Sequence, residues 1–456
     1  MDNTIVAIST AAGNGGIGIV RLTGEDTFKI IEKIFKPKSN NTEIKGYTMK
    51  YGNIVNPKNN EIIDEVLVSY FVSPKSYTRE NMCEINTHGG MVVEKRILEV
   101  CLENGAELAE PGEFTKRAFL NGRIDLSQAE AIIDLINSKS EKEAKESVNQ
   151  LEGNLSKKIN EIEQKLIDTM VNIEVVVDYP EYDVEEAKDS DEIKELEDVR
   201  ELLIKLKESF NKGKILKDGI KTVILGKPNA GKSSLLNTIL NEERAIVSSI
   251  EGTTRDTIEE YIHINGISLK LIDTAGIRDA DNEIERIGVD KSKKLAESSD
   301  LIIAIFDTSR PFDKEDEEIV NIIKDKKAIV LLNKIDIGNT EEIEAKLNDL
   351  NKPIIKISAL KNEGIEELYS KIEELFEFNE ISSDNEILIT NERHKNQINK
   401  AIENIELGIK SLKDNVPIDI SAIYIKQVLE DLGEITGKNV TEDIINEIFK
   451  KFCLGK

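Results

Sequence analysis

Eight consecutive residues, Gly226-Lys227-Pro228-Asn229-Ala230-Gly231-Lys232-Ser233, follow an apolar run at 222–225 and precede a helical pattern. Glycines at that spacing let backbone N–H groups converge on an anion at a helix N-terminus, where the peptide dipoles favour negative charge. The chemistry implied is phosphate binding, with Lys232 reaching the β- and γ-phosphates and the Ser233 hydroxyl ligating Mg²⁺. Further along, Asp273-Thr274-Ala275-Gly276 closes another strand pattern, where such sites put a Mg²⁺-side aspartate and a γ-phosphate-sensing glycine. Between the two, Gly252-Thr253-Thr254-Arg255-Asp256 offers Thr254 as a second Mg²⁺ hydroxyl. Asn333-Lys334-Ile335-Asp336 follows an apolar run at 328–332, and Ser358-Ala359-Leu360 follows another at 354–357. A carboxylate only accepts hydrogen bonds. Guanine presents two adjacent donors on one edge and adenine does not, so Asp336 selects guanine, and 358–360 supports the base through backbone N–H groups. The nucleotide-contacting set is read as Asn229, Ala230, Gly231, Lys232, Ser233, Ser234, Ser248, Ser249, Ile250, Glu251, Gly252, Thr253, Thr254, Asp273, Thr274, Ala275, Gly276, Asn333, Lys334, Asp336, Ser358, Ala359 and Leu360. The nucleotide is GTP rather than ATP.

Hydrolysis needs an oriented water and a cation near the transferring phosphoryl group. Many such enzymes place Gln directly after the D-x-x-G motif; here Ile277 stands there and cannot orient water. Glu285, in the charged stretch 278–286, is the candidate to do so, against the plainer reading of an exposed helix-surface carboxylate. The cation could come from an arginine. Alternatively, Asn229 with oxygens from Ser248, Ile250 (backbone) and Thr253 could cage a monovalent ion; an oxygen-only cage suits K⁺. On spacing alone Asn229 could equally brace the loop.

These motifs need a scaffold. From 221 to about 378, short apolar runs at 222–225, 301–306, 328–332 and 354–357 alternate with amphipathic helical patterns, which predicts a parallel α/β sheet. Asn265-Gly266 between two strand-like runs predicts a hairpin, since it supplies the positive φ values of a tight primed turn. Ahead of this unit, residues 1–120 mix β-rich runs with glycine turns and a helical stretch near 90–103, an α+β pattern. From about 127 the period becomes helical: Leu155, Ile159, Ile162, Leu166, Met170 and Ile173 make one apolar stripe. Pro180 should stop that helix, and the acidic stretch 181–198 reads as a solvated loop and helix face. Helical periodicity returns from about 391. The division expected is 1–120, 121–213, 214–378 and 379–456, with the α/β unit inserted into one helical domain.

A chain of 456 residues suits about three domains of ~100–200 residues each. No stretch approaches the ~18–20 apolar residues of a membrane span. The start, Met1-Asp2-Asn3, lacks a basic segment followed by an apolar run, which points to the cytoplasm. Three cysteines, Cys83, Cys101 and Cys453, and three histidines give neither a disulfide framework nor a zinc cluster; Cys83 and Cys101 read as core, and His88 as structural. A net charge of −26 weighs against unaided high-affinity nucleic-acid binding, which rests on basic patches.

Two further segments carry a resemblance. Gly15-Gly16-Ile17-Gly18-Ile19-Val20-Arg21 near the start and Pro111-Gly112-Glu113-Phe114-Thr115-Lys116-Arg117-Ala118-Phe119-Leu120-Asn121-Gly122-Arg123 flank the GTPase motifs, and the chain ends Phe452-Cys453-Leu454-Gly455-Lys456. Over essentially its whole length the sequence resembles the tRNA-modification GTPase family MnmE, also called TrmE. The resemblance implies a K⁺-stimulated GTPase that, with an FAD-dependent partner of the MnmG type, installs a carboxymethylaminomethyl or aminomethyl group at C5 of the wobble uridine of certain tRNAs. It implies a homodimer, joined with that partner in a heterotetramer or larger complex. It implies an N-terminal domain like tetrahydrofolate-binding proteins, holding 5-formyltetrahydrofolate or another tetrahydrofolate derivative, and a Ras-like GTPase domain inserted in a discontinuous helical domain. Folate contacts carry over as Arg21, Glu80, Arg123 and Lys456. The resemblance also favours Glu285 as catalytic, the cage of Asn229, Ser248, Ile250 and Thr253 for K⁺, and a place for Cys453 near the modification centre. Cys453 lies fourth from the end, but Gly455 and Lys456 do not suit a prenylation box. The rival expectation is a GTP-gated RNA-binding or ribosome-assembly switch; such proteins carry an appended basic domain, and none is evident after 378.

Overall fold

The computed structural model describes residues 3–39, 43–178, 185–241, 260–264, 267–272, 289–376, 387–414 and 416–456. Two compact units emerge: one takes in 1–133, 149–199 and 403–456, the other 134–148 and 200–402.

The first unit begins with an α+β layer. Strands β1 (Ile5–Ile8), β2 (Gly18–Thr23), β3 (Phe35–Pro37), β4 (Thr48–Val55), β5 (Ile62–Phe71), β6 (Met82–Thr87) and β7 (Glu107–Leu108) form a sheet in the order β3-β4-β5-β6-β2-β1-β7. The pairs are antiparallel except β1 with β7. Alternation decides the buried face: on β5, Val66, Val68 and Tyr70 are buried while Leu67 between them is exposed. Helices α1 (Thr27–Ile34) and α2 (Met91–Glu103) cover that face through Ile30, Ile31, Ile34, Ile97 and Val100. Cys83 and Cys101 lie in the same core, as their patterns predict, and burial pushes the Cys101 thiol up to about 12.

Helix α3 (Glu113–Leu120) packs its Ala118 and Phe119 with Phe449 and Phe452 from the C-terminal end of the chain. Then come α4 (Leu126–Asn137), α5 (Glu141–Leu151), α6 (Asn154–Asp178) and α7 (Glu185–Asp218). The expected stripe holds: Leu155, Ile159, Ile162, Leu166 and Ile173 on α6 are buried and Met170 is half-buried. Pro180 lies outside the described residues.

In the second unit the sheet has the order β13-β12-β11-β8-β10-β9. Its strands are β8 (Ile220–Gly226), β9 (Glu260–Ile264), β10 (Ile267–Leu271), β11 (Leu301–Asp307), β12 (Ala328–Asn333) and β13 (Ile354–Ile357). Helices α8 (Lys232–Asn241), α9 (Val289–Ser298), α10 (Lys314–Ile323), α11 (Glu341–Leu347) and α12 (Ile365–Leu375) follow between and after them. All four predicted strands are present, each within two residues of its expected ends. The pairs are parallel except the antiparallel β9–β10 pair, in which Ile264 faces Ile267; Asn265-Gly266 between them lies outside the described residues. Every residue of β11 is buried, as expected when helices cover both faces of a parallel sheet. The carboxyl ends of β8, β11, β12 and β13 deliver Gly226, Asp307, Asn333 and Ser358 to one edge, which is where ligands bind in open α/β sheets. After α12 the chain forms α13 (Glu392–Lys413), α14 (Ile418–Thr436) and α15 (Glu442–Phe449), with α14 packed on α6. No helix among the described residues is long and apolar enough to cross a membrane.

Candidate functional site

The phosphate-loop sequence forms a tight turn between β8 and α8. Asn229 has a φ of 62° and Gly231 a φ of 104°. At Gly231 only glycine fits, for a second reason: a Cβ there would meet the Asn333 side-chain nitrogen at 2.0 Å. Leu235 N–H donates to the Gly231 carbonyl, which starts α8 directly on the loop. The Lys232 ammonium folds back over the turn and donates to the carbonyls of Gly226 (2.8 Å) and Lys227 (2.9 Å). Ser233 stands beside it in the first turn of α8, half-buried, and Ser234 is exposed. The chemistry is a loop of backbone donors with a cation across it, built on a helix N-terminus.

Asn333 ties this loop to the base-side loops. Its Nδ2 donates to the Ala230 carbonyl (2.8 Å), and its Oδ1 accepts the Ala359 N–H (3.1 Å). Ala359 is fixed from below as well, since its carbonyl accepts the Thr238 hydroxyl of α8. Asp336 Oδ1 accepts the Ser358 hydroxyl (3.0 Å), and Lys361 Nζ lies 3.8 Å from Oδ2. These bonds hold a pure acceptor pair at a set place, the requirement for reading adjacent N–H donors on a guanine edge. Leu360 is 85% exposed, so its part in this loop is that of its backbone.

Sequence reasoning named Lys334 but missed the carboxylates that buttress these loops, Asp307, Asp313 and Asp316. Lys334 has a φ of 66°, rare for a side chain that large, and its ammonium reaches Asp307 Oδ2 at 2.7 Å. Burial disfavours the Asp307 charge, yet Lys334 and Ser309 outweigh it and hold the carboxyl below its usual range. The signal was an acid closing an otherwise apolar strand. Lys227, inside the phosphate loop, is paired with Asp316 (2.6 Å) and Asp313 (2.9 Å) at the start of α10. Burial works against the Lys227 ammonium, but the two carboxylates keep it above its ordinary range. Asp313 and Asp316 also make a capping box, legible as D-x-x-D.

Of the remaining expected residues, Ser248, Ser249, Ile250, Glu251, Gly252, Thr253, Thr254, Asp273, Thr274, Ala275, Gly276 and Glu285 lie outside the described residues.

In the first unit a second group assembles. Arg21 pairs with Glu84 at 2.8 Å and donates to the Gly455 carbonyl. Its guanidinium lies 5.7 Å from the Tyr77 ring and 5.6 Å from the Phe114 ring; Arg123 lies 4.6 Å from the same Tyr77. Phe114 N–H donates to the Lys456 carbonyl. Arg21, Arg123 and Lys456 thus meet around Tyr77 and Phe114. Glu80 is placed differently: it accepts from Thr23 and from Arg117, which is 1% exposed and also bonds Glu113. Arg117 was quoted in the sequence motif without a role, and the structure makes it the ion-pair hub of α3. Cys453 is exposed, and its carbonyl accepts the Gly112 N–H. His88 is exposed and bonds Asp64 through Nδ1 at 2.7 Å.

A phosphate loop at the end of β8, tied by one asparagine to an aspartate-bearing base loop, defines a P-loop protein of the guanine-nucleotide class. A family model described as the MnmE helical domain matches residues 126–453, and one described as the GTP-binding protein TrmE N-terminus matches residues 4–123. Proteins named tRNA modification GTPase MnmE are similar throughout. That of Acetivibrio thermocellus is 50% identical over 458 residues, covering 100% of this chain and 99% of its own length. That of Finegoldia magna is 50% identical and that of Clostridioides difficile 49%, each covering 100% of both chains. The chain belongs to the MnmE family of tRNA modification GTPases.

Proposed function

We propose that this chain hydrolyses GTP to GDP and phosphate in the course of tRNA modification. The observation that carries the reading is the Asn333 bridge: one side chain locks the phosphate loop at Ala230 to the base loop at Ala359, beside the acceptor Asp336. Such a lattice fixes a triphosphate and a guanine with respect to each other. Relatives named for tRNA modification match end to end, which favours this reading over an RNA-binding switch.

The residues fit the bound groups the reaction needs. Ser233, at the first turn of α8 beside Lys232, would hold Mg²⁺ together with Thr254, and Asp273 would stand on the same side. Bound there, Mg²⁺ supplies neutralisation of phosphate charge. Asn229, held at positive φ on the exposed rim of the loop, would hold K⁺ with Ser248, the Ile250 carbonyl and Thr253. Lys232 draws the β/γ-phosphates onto the loop donors. Glu285 orients the attacking water in the place that Ile277 cannot fill, and Asp336 accepts from the guanine edge.

The finer reading follows from the family. The chain acts as a homodimer in the cytoplasm with a flavoprotein partner of the MnmG type, building the aminomethyl-type group at C5 of the wobble uridine. Arg21, Arg123 and Lys456 would hold a tetrahydrofolate derivative, since two guanidinium groups and two aromatic rings suit a flat, acidic ligand. Cys453, exposed beside Gly112, stands near that ligand. The test is hydrolysis by the full chain with GTP and with ATP, each in K⁺ and in Na⁺, together with wobble-nucleoside analysis after gene deletion. GTP turnover stimulated by K⁺ and loss of the modified uridine are expected. Equal turnover of ATP, or intact wobble uridine with immature ribosomal particles, overturns the reading.

A further inference from the structure

The hairpin β9–β10 stands at the edge of the second unit's sheet. In the chain it joins the stretch carrying Gly252-Thr253-Thr254 to the one carrying Asp273-Thr274-Ala275-Gly276: β9 starts at Glu260 and β10 ends at Leu271. One face of it, Ile262, Ile264, Leu269 and Leu271, belongs to the sheet's core. The other face carries Tyr261 opposite Lys270 and His263 opposite Ser268. A solvated outer face would be usual for an edge hairpin. Here Tyr261 is only 7% exposed and Ser268 only 3%.

Lys139, from the short link between α4 and α5, lies over this face. Its ammonium is 3.5 Å from the centre of the Tyr261 ring, closer than any other cation to an aromatic ring among the described residues. It is also near enough to His263, which bonds Ser268 across the strands, to add to burial in holding that imidazole below its ordinary range. The lysine's backbone is fixed from behind. Glu143 Oε2 accepts the Lys139 N–H (2.6 Å), while Glu143 N–H donates to the Ser140 hydroxyl that caps α5. Asp134, at the other end of the link, pairs with Lys217 at 2.7 Å, just before β8. The link is therefore bonded at both ends, and its Lys139 ammonium lies on the hairpin.

We propose that Lys139 is a positioning residue for GTP hydrolysis, gripping Tyr261 so that the helical link 134–148 sets where the hairpin delivers the motif segments on either side of it. The proposal rests on the GTPase reading above and adds to it a route by which the helical part of the chain bears on turnover. A cation over a phenol ring is a strong anchor when partly desolvated, and arginine replaces lysine there without losing it. The grip falls on the hairpin and not on the phosphate loop or the base loop, so losing it affects the rate and spares nucleotide affinity.

The experiment is steady-state GTP hydrolysis by the full chain in K⁺, with GDP affinity measured alongside, for Lys139→Met, Lys139→Arg, Tyr261→Leu, Tyr261→Phe and the Lys139→Met/Tyr261→Leu pair. Expected for Lys139→Met and Tyr261→Leu is a fall in kcat of about five- to tenfold with KM and GDP affinity within about twofold, the size a partly buried cation–π contact allows. The pair should be no slower than either single variant, because the residues form one contact. Lys139→Arg and Tyr261→Phe should stay within about twofold of wild type. A Lys139→Met chain with unchanged kcat overturns the proposal, as do losses that multiply in the pair or a loss that appears in KM or GDP affinity. Equal damage from Lys139→Arg overturns it too, because that is the mark of a purely structural site. If the wild-type chain does not hydrolyse GTP at all, the GTPase reading itself falls, and this inference with it.

Discussion

Asp336 and Gly231 show how much of the site rests on single atoms. The Asp336 carboxylate is held by Ser358, and both its oxygens can only accept. Asp336→Asn replaces one acceptor by a donor that meets a guanine N–H head-on. GTP affinity should fall by ~10²-fold or more, the scale of a mismatched buried polar group. Xanthosine triphosphate, with a carbonyl at that edge, should regain binding. Titration with both nucleotides checks this; unchanged GTP affinity would remove Asp336 from base recognition. Gly231→Ala acts by shape alone. The new methyl would sit 2.0 Å from Asn333 Nδ2 at a φ of 104°, so the Asn333 bridge must break. Nucleotide binding should be lost while the circular dichroism of the chain stays close to wild type. The role proposed for Glu285 is tested by Glu285→Ala, which should lower kcat by ~10²-fold and keep GTP affinity near wild type. Wild-type turnover in that variant would dismiss Glu285.

At the scale of elements, α5 shows what local sequence can and cannot convey. Ser140-Glu141-Lys142-Glu143 has the S-x-x-E form of a capping box, and the helix does start there. The sequence gives no hint that Glu143 is buried, because the groups around it come from α4, from Lys217 and from its own turn. Burial pushes its carboxyl up to about 7, with Asp134 adding to the rise and the Lys139 N–H, the Lys139 charge and Lys217 opposing it. In the unfolded chain it ionises near 4.5. Below that value both states hold the proton and folding is not penalised. Between the two values only the unfolded chain releases it, so stability drops as pH climbs and levels off above about 7. Glu143→Gln keeps an acceptor for the Lys139 N–H and cannot ionise. It should match wild type near pH 4.5 and exceed it by about 2–3 kcal/mol at pH 8. Urea midpoints at the two pH values measure this, and a constant difference across the range would refute it. The sheets were easier to read. β11 and β12 are unbroken apolar runs ending in Asp307 and Asn333, and such runs report burial on both faces without reference to any distant partner. The Lys139–Tyr261 and Arg21–Tyr77 contacts join residues far apart in the chain, and no local pattern records them.

For the molecule as a whole, charge and family pull in different directions. A chain with 87 acidic and 61 basic residues repels a polyanion over most of its surface, yet its relatives are named for acting on tRNA. The proposed flavoprotein partner would supply most of the phosphate contacts, while this chain supplies GTP turnover. Binding of tRNA by the chain alone should then be weak and should depend only gently on salt, because few phosphates are neutralised; the slope of log K against log salt steepens with each phosphate contact. Adding the partner should tighten binding and steepen that slope together. In cells lacking the gene, wild type should restore the modified wobble uridine, whereas Asp336→Asn should not, although both chains carry the same Arg21, Arg123 and Lys456. If Asp336→Asn restored the nucleoside in full, nucleotide turnover would be dispensable for modification. If the chain alone bound tRNA with a steep salt slope, its own basic residues would have to be clustered into a nucleic-acid face despite the net charge of −26.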